Sequence, residues 1–463
     1  MADRHDDSGS WLTDQIEPLP PPPGTFAEIR RRARRRKYRK LAITAGSAAV
    51  VVAAAVTIPQ MVSLRVSPAP VSAAQAGRAA TATATASQIT NAASSAGTAA
   101  VGASTGPVPG NFAPSSVTFV GKDTGWVIGQ ADPGASSGAS CAGSRCTSVA
   151  RTSDAGQTWV GVHAPATGPV DGAAGTGQVR FLNLHNGWAF GPGLFVTHDG
   201  GQDWAQVDTY GLRVTDLETV GSRVFALFAS CTGGGSAFAA HCTRFTLYSS
   251  PAGRTGWAPV GAATTGLTDG AASEAASLVL TGSRGYLLGP DGSVYSGPVD
   301  GSAAWARVSS AIPGCHVGGA LAAGQAGGQP AGVQLAAANS RELIAACTPA
   351  GGGRATVLSS PNGGVSWLQM GTPPASGTIY SLAASPSENL VLGTSTGIAV
   401  LPAGEISWRM ATLGARGPAG GFGYVGMTTD EQGIALPANT AEGTVWFTFD
   451  SGKTWKPSQV SRP

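Results

Sequence analysis

Four acidic or amide side chains recur in one setting: Asp154, Asp199, Asn362 and Asp450. Each sits in a Ser/Thr-x-Asp/Asn-x-Gly-x-x-Trp segment, at 152–159, 197–204, 360–367 and 448–455. Carboxylates in repeated positions could ligate a cation, exchange a proton, or accept backbone N–H bonds in a tight turn. The spacing favours the turn. Asn362 replaces the carboxylate while keeping an acceptor oxygen, and Gly156, Gly201, Gly364 and Gly452 stand two positions on, where a turn needs backbone freedom. Trp159, Trp204, Trp367 and Trp455 then open the following strand with a large apolar face.

Little else has the spacing of a reactive centre. His163, His185, His198, His241 and His316 form no i, i+4 pair and have no flanking acid ligands, so the expectation is no metal. The glycine runs at 233–235 and 351–353 lack a following helix with Lys and read as loops, not phosphate cradles. Arg180, Arg223, Arg244 and Arg341 are scattered, and acids such as Asp216, Glu218 and Asp291 read mostly as turn or surface groups. No catalytic residue and no cofactor is therefore expected. Six cysteines fall in three local groups, Cys141/Cys146, Cys231/Cys242 and Cys315/Cys347. Six cysteines allow fifteen pairings; proximity favours three neighbouring disulfides and hence an oxidising compartment.

The elements that must position these residues repeat. Trp257, Trp305 and Trp408 follow weaker copies of the turn, and the seven tryptophans from Trp159 to Trp455 are spaced by 45, 53, 48, 62, 41 and 47 residues. A four-stranded propeller blade needs a period of about that length. One unit reads as strands at 178–182, 188–191, 194–197 and 204–207, with Asn186-Gly187 as a hairpin turn. The units at 117–162 and 424–456 look equally complete, so a ring could close without exchanging a strand between its ends. The expected fold is all-β: a seven-bladed β-propeller of four-stranded blades over 116–460. Degenerate middle repeats leave six or eight blades open.

The preceding residues are of another kind. Residues 1–40 carry ten Lys/Arg against six Asp/Glu, with a proline-rich run at 18–23 and a basic run at 30–40. Residues 41–64 carry no charge and hold enough apolar length for one transmembrane helix. A cleaved signal peptide is the rival reading, but forty residues before the apolar core far exceed a usual n-region. Basic residues beside a span stay cytoplasmic, which places the C-terminal part outside the cytoplasm. Residues 65–115 are nearly all Ala, Ser, Thr, Gly, Pro and Val, the composition of a disordered stalk. The net charge of +3 comes from the tail: residues 65–463 hold nineteen basic and twenty acidic groups, no footing for a nucleic-acid partner.

The Ser/Thr-x-Asp-x-Gly-x-Thr-Trp turn resembles the Asp-box of bacterial neuraminidase-type repeats, found in sialidase-like propellers and photosystem II assembly-factor propellers. The run at 186–204, with Gly-Trp-x-x-Gly before the turn, looks most like the latter. The resemblance implies that the box is structural and lies away from the axial ligand face. A sialidase's Arg-Ile-Pro signature is absent, the nearest Ile312-Pro313 following Ala311. The expected function is a membrane-anchored extracytoplasmic module that binds a protein or a cell-envelope glycan through its axial face and the long 210–245 and 312–354 loops. A cell-surface glycoside hydrolase is the alternative, and it would require two facing carboxyls in an axial cleft.

Overall fold

A computed structural model describes residues 106–134, 144–167, 175–232, 241–254, 256–260, 276–289, 291–315, 332–347, 354–374 and 377–461. The cytoplasmic tail and transmembrane helix expected over 1–64 lie outside the described residues, as do Cys141 and the first part of the stalk expected over 65–115. The end of that stretch is ordered instead, with Phe112 buried and residues 113–115 opening the strand Ala113–Phe119, because they pair with the second strand of the first blade. Among the described residues no helix is long and apolar enough to cross a membrane.

The described residues form seven sheets, each with a core of four antiparallel strands consecutive in sequence. These are blades 1 to 7. Their first, innermost strands are Ala113–Phe119, Gln178–Phe181, Arg213–Val220, Ser277–Leu280, Val333–Ala337, Ile379–Ala384 and Phe422–Met427. The outermost strands of blades 1 to 6 are short, from Leu368–Gln369 in blade 5 to Ala306–Ser309 in blade 4. Blade 7 gains a fifth strand that the sequence did not announce: Thr412–Leu413 runs parallel to its outer strand Thr454–Gln459. The expected repeat period and blade composition are met.

Middle strands are buried on both faces because each sheet is sandwiched between two neighbours. Gly187–Phe190 and Leu390–Thr394 are buried along their whole length. Their apolar side chains sort into seven clusters, and each lies between one blade and the next. The seam between the last and first blades is one of them, with Phe112, Val117 and Ala150 packed on Ile434, Leu436 and Phe447. Polar bonds cross the same seam: Gln432 Nε2 donates to Lys122 O at 2.7 Å, and Trp159 Nε1 to Ser458 Oγ at 3.2 Å. The ring thus closes through packing and needs no shared strand.

The repeated tryptophan has one job throughout. Trp159, Trp204, Trp257, Trp305, Trp367, Trp408 and Trp455 each pack into the cluster between their own blade and the preceding one. This explains why the tryptophan persists in blades 3, 4 and 6, where the Asp turn has decayed: the interface needs filling whatever the turn chemistry. In blades 1 and 2 it stands just before the outer strand, and in blade 7 inside it.

The 210–245 segment is not a long loop. Strands Arg223–Thr232 and His241–Pro251 of blade 3 make an extended hairpin with Cys231 opposite Cys242. Disulfides join Cys231 to Cys242 and Cys315 to Cys347, and Cys146 is disulfide-bonded as well.

Candidate functional site

Strand direction gives the ring two distinct faces. Turns joining first to second and third to fourth strands lie at one end of every blade; the other connections lie at the opposite end. The four Asp or Asn turns follow third strands, so all occupy the first end. There each donates a backbone N–H to the neighbouring hairpin turn: Ala155 to Asp123 O, Gly200 to His185 O, Gly363 to Arg341 O and Ser451 to Glu431 O, at 2.8–2.9 Å. Cys146, Cys231, Cys242 and Cys347, at or near strand ends, and Cys315, in a connection between blades, lie toward the other end.

The turns themselves are near-identical. Buried Thr152 Oγ1 donates to Asp154 Oδ1 at 2.7 Å and accepts Gly156 N at 2.9 Å, while Thr158 N donates to Asp154 Oδ1 at 2.9 Å. Thr197/Asp199/Gly201 and Thr448/Asp450/Gly452 repeat this with 2.7–3.0 Å bonds. Asn362 substitutes cleanly: its Oδ1 accepts Ser360 Oγ and Ser366 N, both at 2.9 Å. Gly156 has φ +83° and presses on Phe447 of blade 7, so a side chain there would be strained and would collide. Partial burial pushes the Asp154, Asp199 and Asp450 carboxyls up, but hydrogen bonds outweigh it and all three titrate below the usual carboxylate range. With Oδ1 of each taken by at least two donors inside the turn, these groups are poorly placed for other chemistry.

The axis of the ring holds a different set. A cavity of about 280 Å³ is lined by all seven innermost strands. Four of those strands carry a β-bulge, at Ser115, Thr215, Tyr380 and Gly423, and the residue after each bulge (Ser116, Asp216, Ser381, Tyr424) lines the cavity. Bulges re-aim side chains in this way. Three of these residues also reach the next blade, because an innermost strand has a sheet partner on only one side. Ser116 Oγ accepts Val179 N (3.3 Å), Asp216 Oδ2 accepts Leu278 N (2.7 Å) and Ser381 Oγ accepts Val425 N (3.1 Å).

Charge concentrates on blades 2 and 3. Arg180 Nε meets Glu218 Oε1 at 3.0 Å, with the two side chains 16% and 29% exposed. Arg180 also donates to Val179 O at 3.0 Å and Ser116 Oγ at 3.4 Å. Burial opposes its charge, but Glu218, Tyr424 and Asp216 overcome that and raise its pKa. Asp216 is buried, and its Oδ1 accepts Leu217 N at 2.8 Å. Burial first, then the Glu218 carboxylate, push Asp216 up to about 7, against its two backbone N–H bonds and Arg180. Burial likewise raises Tyr424.

Arg180, Asp216, Glu218 and Tyr424 are therefore the functional candidates that sequence reading passed over. A signal existed: Asp216 and Glu218 stand two apart in a run that pairs as a strand, which puts both on one side. Among the described residues the histidines are engaged singly: His163 Nδ1 lies 2.7 Å from Gln202 O and His198 Nδ1 2.7 Å from Asn186 Oδ1. Among the described residues no three His, Cys, Asp or Glu gather as a metal site.

No family model matches the sequence, and no curated protein matches it. Solved structures similar to it include YCF48 bound to D1 peptide, at 16% identity and TM-score 0.46 over 75% of this chain and 94% of that one. Another is YCF48 from Cyanidioschyzon merolae, at 16% identity and TM-score 0.40 over 60% of this chain and 82% of that one. At these values neither carries an argument about what this chain binds.

Proposed function

We propose that this chain is a binding or scaffolding module, tethered to a membrane by residues 41–64 and displayed outside the cytoplasm, whose partner is a protein or a cell-envelope glycan. The observation that carries the reading is the state of the two axial carboxylates. Glu218 is engaged by Arg180, and both oxygens of Asp216 accept backbone N–H bonds. A glycosidase needs one carboxyl free to protonate a leaving oxygen and another free to attack or activate water. Neither is free here. The formed disulfides support an oxidising location, and the face opposite the Asp turns, with its disulfide-pinned connections, is the docking surface in this reading.

One observation favours the hydrolase alternative: a carboxyl raised to about 7 beside a second one is the profile of a general acid. Its burial and double N–H engagement argue against that use. The test pairs two measurements on the full-length protein. Envelope extract passed over immobilised protein should leave a retained component, and a glycan panel should show no cleavage. Cleavage abolished by Glu218→Gln would establish the hydrolase instead. Labelling of intact cells with an impermeant reagent should reach the C-terminal part, and failure to reach it would overturn the location.

A further inference from the structure

The axial cavity has two unlike walls. Ser116, Gln178, Arg180, Glu218 and Tyr424, from blades 1, 2, 3 and 7, present hydrogen-bonding groups on one side. Across from them blades 4, 5 and 6 contribute Leu280, Leu335 and Leu382 with Ala337 and Ala384, alongside the polar Ser277, Gln334 and Ser381, and Ser381 Oγ is already taken by Val425 N. At about 280 Å³ the space lies at the lower bound of small-molecule sites, which start at roughly 300 Å³. Its one guanidinium is already matched by its own carboxylate at 3.0 Å.

That pairing decides the ligand's charge. A carboxylated or phosphorylated ligand would have to displace Glu218, leaving a partly buried acid without its partner. An ammonium would confront Arg180. Hydroxyl groups both donate and accept, so adjacent hydroxyls can bridge a paired guanidinium and carboxylate without separating them. A sugar ring also offers C–H faces to an apolar wall.

We propose, resting on the binding reading above, that the axial cavity between the Arg180–Glu218 pair and the Leu280, Leu335 and Leu382 wall binds one uncharged sugar residue. Glu218 is then a specificity-determining residue: it occupies Arg180 and so excludes acidic sugars.

Titration calorimetry on the purified full-length protein tests this with glucose, galactose and N-acetylglucosamine as neutral probes, and glucuronate and glucosamine as charged ones. At least one neutral sugar should bind saturably at one site per chain, with both charged sugars at least tenfold weaker. Glu218→Gln should reverse the order by freeing Arg180, strengthening glucuronate at least tenfold. Ala384→Phe, shown to keep the wild-type melting transition, should abolish neutral-sugar binding; Ala337→Phe replaces it if that variant does not fold. Absence of saturable binding by every neutral sugar, equal binding of glucuronate by the wild type, or binding that survives a filled cavity overturns the inference. The two readings fail separately: retention of an envelope component without sugar binding removes only this one, whereas an empty column removes the binding module.

Discussion

The indole of Trp126 lies flat on the ring of Phe181, with centroids 3.8 Å apart and planes 5° from parallel. One residue belongs to blade 1 and the other to blade 2. The same indole N–H donates to Gly200 O at 3.1 Å, so the Asp turn of blade 2 is bolted to the blade before it. Phe181→Ala should therefore cost about 3–5 kcal/mol, the usual loss for a buried aromatic, read by chemical denaturation. Trp126→Phe keeps an aromatic ring but deletes the N–H bond, and should cost less, about 1 kcal/mol for that bond plus a small cavity.

Within the turns, the hydroxyl matters more than the carboxylate's charge. Thr197 Oγ1 serves Asp199 and Gly201 together and is buried. Thr197→Val should destabilise by about 1–3 kcal/mol through the stranded Gly201 N–H. Asp199→Asn should be milder, since Asn362 shows that an amide oxygen fills the same place. Thermal melts of the two variants side by side give the order, and an Asn as costly as the Val would sink it.

Two opposite pH responses are expected. The Asp154, Asp199 and Asp450 carboxyls titrate lower in the fold than the ~3.9 of an unfolded chain, so their stabilisation is present above that value and disappears as pH falls through the folded ones. Asp216 behaves inversely. Its folded value near 7 means the native state holds a proton the unfolded chain has released, so stability declines as pH climbs from about 4 to 7 and then levels. Denaturation midpoints measured from pH 3 to 8 should pass through a maximum on the acid side of neutrality. Asp216→Ala should flatten the decline, and a curve unchanged by that substitution would show that Asp216 is ionised throughout.

The two fully described disulfides close loops of different length, 11 residues for Cys231–Cys242 and 32 for Cys315–Cys347. Chain-entropy reasoning gives about 3 kcal/mol for the first and about 4 kcal/mol for the second. Paired Cys→Ser replacements should preserve this order in denaturant unfolding. The first removes a clasp from one hairpin; the second unlinks blade 5 from the connection that precedes it.

Much of this architecture was legible because interface filling and turn geometry use residue types that stand out. Tryptophan at each inter-blade cluster and Asp-x-Gly in the turns mark the period even where other positions drift. Two features were hidden for physical reasons. The blade 3 hairpin read as a loop because the glycine run at 233–235 and the cysteines carry turn chemistry, whereas residues 223–232 and 241–251 pair almost throughout. The axial cluster was obscured because its members lie on three different blades: Arg180 is 38 positions from Glu218, and Tyr424 is farther still. Only ring closure brings them together. The bulges that aim Ser116, Asp216, Ser381 and Tyr424 depend on register, which a single strand's residues do not reveal.

Every blade is one unbroken stretch of chain, and among the described residues no strand is shared across the seam between the seventh and the first. The order in which blades are threaded is thus uncoupled from the shape they make. Joining the region's two ends with a short linker and opening the chain between any other pair of blades should give a permuted protein with the same ring. The termini would then move around the circumference while staying on the face that carries the inter-blade connections, and the axis would stay as it is.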